Sequence, residues 1–389
     1  MAVQVLHGTI VLPDRLLERG WLVVEDGLIR EVGQSVSREP AGQRGEWFIA
    51  PGFIDVHLHG LAGADTMDAR EESLAAMARR LTRHGVTGFL PTTLTAGLDS
   101  IVGAVEQIHL YQRRQAEGGW PQSRVLGAHL EGPWIARECK GAQDEEYIAL
   151  PTKESVDHIL DSDGHGAVKI VSLAPELAGA AEVIAILRRR GVYVSLGHTG
   201  ATCEEALRAF ALGASQVTHC FNAMSGLHHR RPGLAAAALV ADQVSVELIA
   251  DGIHVHPAVM RLAIRAKGRE KVMLISDSVA AAGLPEGRHM SGGREVYVHS
   301  DRVCLPDGTL AGSTLTLDRA VANLVTMCNV SLPDAVYMAA AAPAEAIGLG
   351  DRKGKILAGY DADLVILDRR LQPRQVLVAG KRAFPGSGM

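Results

Sequence analysis

The sequence predicts an α/β protein: a (β/α)8 barrel of the TIM type over residues 51–349, with a small β-sandwich domain built from both chain ends, residues 1–50 and 350–389. Three observations lead there. From Pro51 onward, short apolar segments alternate with stretches of helical periodicity, the texture of successive strand-then-helix units. Eight of the apolar segments read as strands, the number that closes such a barrel. Residues of metal-ligating type recur at the ends of those strands and rarely inside them.

Before Pro51 the chain reads as short strands at 3–6, 8–11, 21–24 and 28–32, parted by Gly, Asp and Pro. The barrel strands are expected near 53–59, 87–91, 125–131, 168–173, 192–198, 215–219, 245–249 and 272–276. Helical stretches such as 73–85, 203–213 and 259–265 each follow a strand and end near Gly, Lys or Arg. Past Asp277 the segments 295–298 and 301–305 suggest a β-hairpin insertion near 285–312, followed by a helix over 315–326. The tail turns strand-like again at 354–357 and 362–367, and is expected to pair with the N-terminal strands.

At 389 residues, 47% of them hydrophobic, the chain can bury a large core and a smaller second one. A net charge of −5 offers no footprint for nucleic acid or a membrane surface, and 4% aromatic residues offer no base-stacking platform. Neither a secretory leader nor a membrane-spanning run is expected. Cys139, Cys203, Cys220, Cys304 and Cys328 are odd in number and widely spaced, which reads as reduced thiols of a cytoplasmic protein.

The first candidate site residues are His57 and His59, at the end of the run opened by Pro51-Gly52. Side chains two apart on a strand share a face, so this pair can grip one ion together. Alone the signal is weak, since histidines so spaced also occur on strand surfaces. Glu131 ends the run Val125-Leu126-Gly127-Ala128-His129-Leu130, His198 ends Val192-Tyr193-Val194-Ser195-Leu196-Gly197, His219 ends Gln216-Val217-Thr218, and Asp277 follows Val272-Met273-Leu274-Ile275-Ser276. Singly, each has a structural alternative: Glu131 or Asp277 could cap a helix, and the histidines could be satisfied core residues. Jointly the alternatives leave the recurrence at strand exits unexplained. Strand exits converge on one face of a parallel barrel, which is where such folds place their chemistry. His129, by contrast, is expected to pack or hydrogen-bond beside the site, and His228, His229 and His256 to be loop residues.

Taken together, Pro51-Gly52-Phe53-Ile54-Asp55-Val56-His57-Leu58-His59-Gly60, His129-Leu130-Glu131-Gly132-Pro133, Leu196-Gly197-His198-Thr199, His219-Cys220-Phe221-Asn222-Ala223-Met224 with Arg230-Arg231-Pro232-Gly233, Asp251-Gly252-Ile253-His254 and Ser276-Asp277-Ser278-Val279 resemble the amidohydrolase superfamily and, within it, the N-acetylglucosamine-6-phosphate deacetylase family, over essentially the whole chain. The resemblance implies that Glu131, His198 and His219 hold a catalytic metal, that His57 and His59 with a bridging Glu131 hold a second ion, and that Asp277 is the general acid/base at the metal. It further implies an amino-sugar phosphate substrate. Asn222 and Ala223 would cradle its phosphate with Arg230 from the neighbouring subunit of a homodimer, His254 would touch the sugar, and Leu310, Ala311 and Gly312 would form a loop closing over it. In the stretch Lys140-Gly141-Ala142-Gln143, whose Ala142 and Gln143 face the substrate in this reading, Gln143 stands where some members have a histidine that polarises the carbonyl. An amide can donate to a developing oxyanion but carries no charge, which moves the burden of polarisation to the metal.

Metal chemistry suits the implied reaction, since water must be made acidic enough to attack an amide near neutral pH, and a divalent ion brings its pKa toward ~7. One or two ions per subunit are expected. Imidazole and carboxylate ligands suit zinc first, with iron, manganese and cobalt as alternatives. The galactosamine epimer of the substrate is the nearest rival, and another amide substrate of the superfamily the next.

Overall fold

A computed structural model describes residues 3–35, 47–118, 121–162 and 166–384. Eight strands follow one another around a barrel in chain order: Phe53–Leu58, Val86–Thr93, Ala128–Glu131, Val168–Leu173, Tyr193–Leu196, Gln216–Val217, Ser245–Ile249 and Val272–Ile275. Each pairs in parallel with the next. The last returns to the first where the Asp277 N–H donates to the His57 carbonyl at 2.9 Å and the Ser276 N–H to the Asp55 carboxylate at 3.2 Å. Strands covered on both faces need continuous burial, and Phe53–Leu58 and Val86–Thr93 are buried at every position.

The surrounding helices carry one apolar stripe each. In Glu71–Thr82, Leu74, Met77, Ala78 and Leu81 recur at the three- and four-residue spacing of one helix face and are buried. Glu71 and Glu72 open this helix and Arg79 and Arg80 close it, which complements its dipole. Cys203–Leu212 starts on a reciprocal cap between Thr202 and Glu205 and stops at Gly213 in a left-handed conformation.

Both chain ends meet in one continuous seven-stranded sheet, in the order Lys381–Phe384, Pro373–Val378, Leu364–Leu367, Phe48–Pro51, Gln4–Val11, Leu16–Glu25, Leu28–Gln34. Leu364–Leu367 runs antiparallel to Phe48–Pro51, so the tail pairs with the N-terminal strands as the sequence suggested. Ile10, Leu22, Ile29, Ile49, Leu364 and Leu377 form its core. The expected break at Gly8 is only a shift in register within a single strand. Lys353 ties the tail down, its ammonium reaching Asp361 at 2.7 Å and Asp363 at 2.6 Å.

Where a hairpin was expected after Asp277, three antiparallel strands form: Gly287–Ser291, Arg294–Val298 and Val303–Cys304. The additional first strand is largely polar and open to solvent, so no apolar alternation announces it. Its signal was the turn instead, Gly292-Gly293, both in the left-handed region that a tight hairpin favours. Val296, Val298, Val303 and Leu305 pack this sheet onto Val279, Ala281 and Ala311 at the strand-exit end of the barrel. Among the described residues, no helix is long and apolar enough to cross a membrane.

Candidate active site

Six of the residues marked in the sequence converge at the strand exits. His57 lies within its strand, Glu131 is the last residue of another, and His198, His219 and Asp277 each stand two residues beyond theirs. Those three adopt left-handed backbone conformations, with φ of 48°, 28° and 50°. Such conformations cost non-glycine residues ~1–3 kcal/mol each and persist where neighbouring structure holds them. Here the holding bonds are visible. Asp277 is gripped from both sides, donating its N–H to His57 and accepting from Ser313 at 2.8 Å, while the His198 carbonyl accepts from Ala136 at 2.8 Å. Each reversal turns the chain out of the sheet and leaves the side chain aimed over the barrel mouth.

These six residues form two groups of three potential ligands, His57, His59 and Asp277, and Glu131, His198 and His219, all buried; a third buried group, His57 with His129 and Glu247, has no member in the cavity lining. Glu131 sits between them, its Oε1 at 3.0 Å from His219 Nε2, 3.2 Å from His198 Nε2 and 3.3 Å from His57 Nε2, and its Oε2 at 3.3 Å from His59 Nε2. Asp277 Oδ1 lies 3.3 Å from His59 Nε2.

The donor chemistry fits a metal ion. His57, His59 and His198 each turn Nδ1 to an acceptor, the Glu247 carboxylate at 2.8 Å, the Thr92 carbonyl at 3.2 Å and the Cys139 carbonyl at 2.8 Å. With protons on Nδ1, their Nε2 atoms present lone pairs. Yet His57 and His59 bring those atoms within 3.3 Å of each other, and His198 and His219 within 3.1 Å. So many acceptors crowded around a carboxylate repel one another unless positive charge lies among them.

Titration behaviour expresses the same demand. Burial works against a charged His59, but its hydrogen bonds to Asp277 and Glu131 prevail and push it up to about 9. For His57, burial is likewise outweighed by the charges of Glu247 and Glu131, which hold it well above its ordinary value. Burial would raise the Glu131 carboxyl; His57 and His198 overcome it and hold it well below the usual carboxylate range. Asp277 is lowered too, burial being outweighed by its hydrogen bond to His59 and the charge of His57. A bound cation must displace the protons that the raised imidazoles retain, so metal affinity is expected to weaken as pH falls and to strengthen as pH rises. Zinc binding followed by equilibrium dialysis between about pH 6 and about pH 8, below the value of about 9 at which His59 gives up its proton, checks this sign; an affinity that does not change, or that improves in acid, contradicts it.

The cavity above these groups encloses about 550 Å³. His59, Glu131, His198, His219 and Asp277 line it, together with the expected contact residues Ala142, Gln143, Asn222, Ala223, His254, Leu310, Ala311 and Gly312. His57 lies beneath, without exposed surface. Arg230 does not line it. It is exposed on a turn beside His228 and His229, whose ring centroids lie 4.4 Å apart. Gln143 lines the cavity and is held there by two hydrogen bonds. Its amide nitrogen donates to Glu131 Oε2 at 2.5 Å and its oxygen accepts from the Thr95 N–H at 2.8 Å, so that it steadies the carboxylate shared by both ligand groups.

His129 is a neighbour of the site, as expected: its ring bonds to the Val56 carbonyl at 2.9 Å and Ser172 Oγ at 2.8 Å, and burial pushes it down to about 4. Two residues escaped the sequence reading. Glu247 is a fully buried carboxylate inside the strand Ser245–Ile249, and a charge among Val246, Leu248 and Ile249 was the signal. Arg294, on the insertion sheet, lines the cavity and donates to the carbonyls of Ala142 at 2.7 Å and Gln143 at 3.2 Å. The polarity of its surroundings gave no signal.

The model of the Amidohydrolase family matches residues 48–383. An N-acetylgalactosamine-6-phosphate deacetylase of Escherichia coli O157:H7 is 38% identical over 377 residues, 95% of this chain and 97% of its own. An N-acetylglucosamine-6-phosphate deacetylase of Bacillus subtilis (strain 168) is 37% identical, over 96% of this chain and 95% of its own. The structure of a point mutant of N-acetyl-D-glucosamine-6-phosphate deacetylase from Mycobacterium smegmatis, in complex with N-acetyl-D-glucosamine-6-phosphate, superimposes with a TM-score of 0.91 at 32% identity, covering 98% of this chain and 100% of that one.

Proposed function

Since the chain belongs to the amidohydrolase family, we propose that its cavity removes acetate from N-acetyl-D-glucosamine 6-phosphate and releases D-glucosamine 6-phosphate. The observation that carries this reading is the meeting of Glu131, His198, His219 and Asp277 at one wall of a cavity otherwise lined by Asn222, Ala223, His254 and the loop 310–312.

Glu131, His198 and His219 are the residues that would hold one divalent ion, and His57, His59 and Asp277 those that would hold a second, zinc being the ion their chemistry suits best. Such an ion polarises the acetyl carbonyl and acidifies the water beside it. Asp277 accepts the water's proton at its carboxylate as the new C–O bond forms, and returns it to the amine nitrogen as the C–N bond breaks. The lowered Asp277 carboxyl is ionised at neutral pH and so ready to accept that proton. Gln143 and Arg294 brace the lining of the cavity, Gln143 through Glu131 and Arg294 through the carbonyls of Ala142 and Gln143.

Phosphate recognition falls to Asn222, Ala223 and the Arg230 of a second subunit. A planar guanidinium grips two phosphate oxygens, a contact worth ~2 kcal/mol. Arg230→Ala is therefore expected to raise KM for the 6-phosphate while leaving the poor turnover of unphosphorylated N-acetylglucosamine nearly unchanged. At substrate concentrations too low for Arg230→Ala to turn over, mixing it with inactive Asp277→Asn protein should restore part of the activity, because a hybrid dimer holds one site with both native residues. No recovery after proven subunit exchange would put Arg230 outside the site of its neighbour. The same reading makes the enzyme a cytoplasmic homodimer, in keeping with its five free cysteines.

The galactosamine epimer is the second reading, favoured by the 38% identity to the Escherichia coli enzyme. Acetate release from the two purified sugar phosphates decides between them. Higher kcat/KM on the glucosamine compound is expected, and the reverse order would reassign the substrate.

A further inference from the structure

The carboxylate of Glu247 is fully enclosed inside the barrel, where an ionised group is costly unless it is paired. Its partners are informative. Oε2 accepts from His57 Nδ1 at 2.8 Å and from the backbone N–H of His219 at 3.0 Å, while the Glu247 carbonyl accepts from the N–H of Cys220 at 2.9 Å. His57 belongs to one ligand group and His219 to the other. One residue of the seventh barrel strand therefore holds a side chain of the first group and two amides of the turn that carries His219 of the second.

We infer that Glu247 is the positioning residue of the whole metal centre, fixing the proton of His57 on Nδ1 and the reversed backbone of His219 in place. The inference rests on the reading of the two groups as metal ligands. An ionised carboxylate has no proton to give, so the proton in the 2.8 Å contact is the imidazole's. His57 Nε2 then faces Glu131 and His59 with its lone pair, the form in which an imidazole binds metal. The contact to His219 acts on a different quantity. With φ at 28°, that residue occupies a sparsely populated conformation, and the N–H it donates to Glu247 is what the turn would lose on relaxing. Among the described residues Oε1 of Glu247 has no hydrogen-bond partner, His129 Nδ1 lying 4.0 Å away, so Oε2 carries both contacts and their loss cannot be shared.

Glu247→Gln keeps the size of the side chain and an acceptor oxygen but removes the charge. Carboxylates placed behind metal-bound imidazoles typically contribute 10–100-fold to metal affinity. Zinc affinity, measured by competition with a chelator on the folded protein, is expected to fall by at least about 10-fold in Glu247→Gln at an unchanged melting midpoint. Combining Glu247→Gln with His57→Asn should weaken zinc binding less than the product of the two single losses, because both changes break one contact. Wild-type affinity in Glu247→Gln, or strictly independent effects in the double variant, overturns the positioning role while leaving the ligand assignment standing. Failure of the unaltered protein to bind zinc or any other divalent ion would remove both.

Discussion

Replacing Asp277 by Asn is expected to lower kcat by about 10²-fold or more while KM and the ion assigned to Glu131, His198 and His219 change little. Asparagine has the shape of aspartate and its oxygen can still lie near His59, but an amide cannot take a proton from water or hand one to an amine. The structure gives Asp277 both qualifications for that work. It lines the cavity, and its hydrogen bond to His59 with the charge of His57 keeps its carboxyl ionised despite burial. Single-turnover kinetics on N-acetyl-D-glucosamine 6-phosphate check the prediction. Near-normal turnover would remove Asp277 from proton transfer and leave Glu131 or a histidine to carry it.

Glu131→Gln should have an effect at least as large, for a different reason. Its two oxygens touch members of both ligand groups, Oε1 reaching His57, His198 and His219 and Oε2 reaching His59. Removing its charge takes the one anion common to both positions, so both are expected to empty together. Polarisation of a carbonyl by a metal is worth several kcal/mol, which corresponds to a loss of activity of roughly 10³-fold. Elemental analysis of the variant separates this from a purely catalytic defect. Wild-type metal content with low activity would show that Glu131 acts on the substrate and not on an ion.

The barrel was legible because its strands, buried on both faces, read as continuous apolar runs, and because five of the eight runs ended on a residue that had no reason to be there unless the ends met. Glu131, His198, His219 and Asp277 were found by that rule. The rule could not find Glu247, which works from inside its strand and shows itself only as a charge in an apolar run. Nor could it find Arg294, since nothing local fixes how the insertion sheet folds back over Ala142 and Gln143. The strand Gly287–Ser291 was missed because sheet formation there depends on a glycine turn and on a partner strand, and its own side chains face solvent. Gln143 was read from its position, yet its hydrogen-bond partners, Glu131 and Thr95, come from separate barrel strands and their exits and could not be read from neighbours in sequence.

Metal-dependent hydrolysis of an acetylated amino-sugar phosphate is the claim on which the rest depends, and acetate release from N-acetyl-D-glucosamine 6-phosphate by the purified protein tests it most directly, assayed as isolated, after chelation, and after zinc is returned. Acetate and free amine should appear in equal amounts, cease on chelation and resume with the ion. Hydrolysis that persists after every divalent ion has been removed, or no hydrolysis of either epimer by fully zinc-loaded protein, would contradict it.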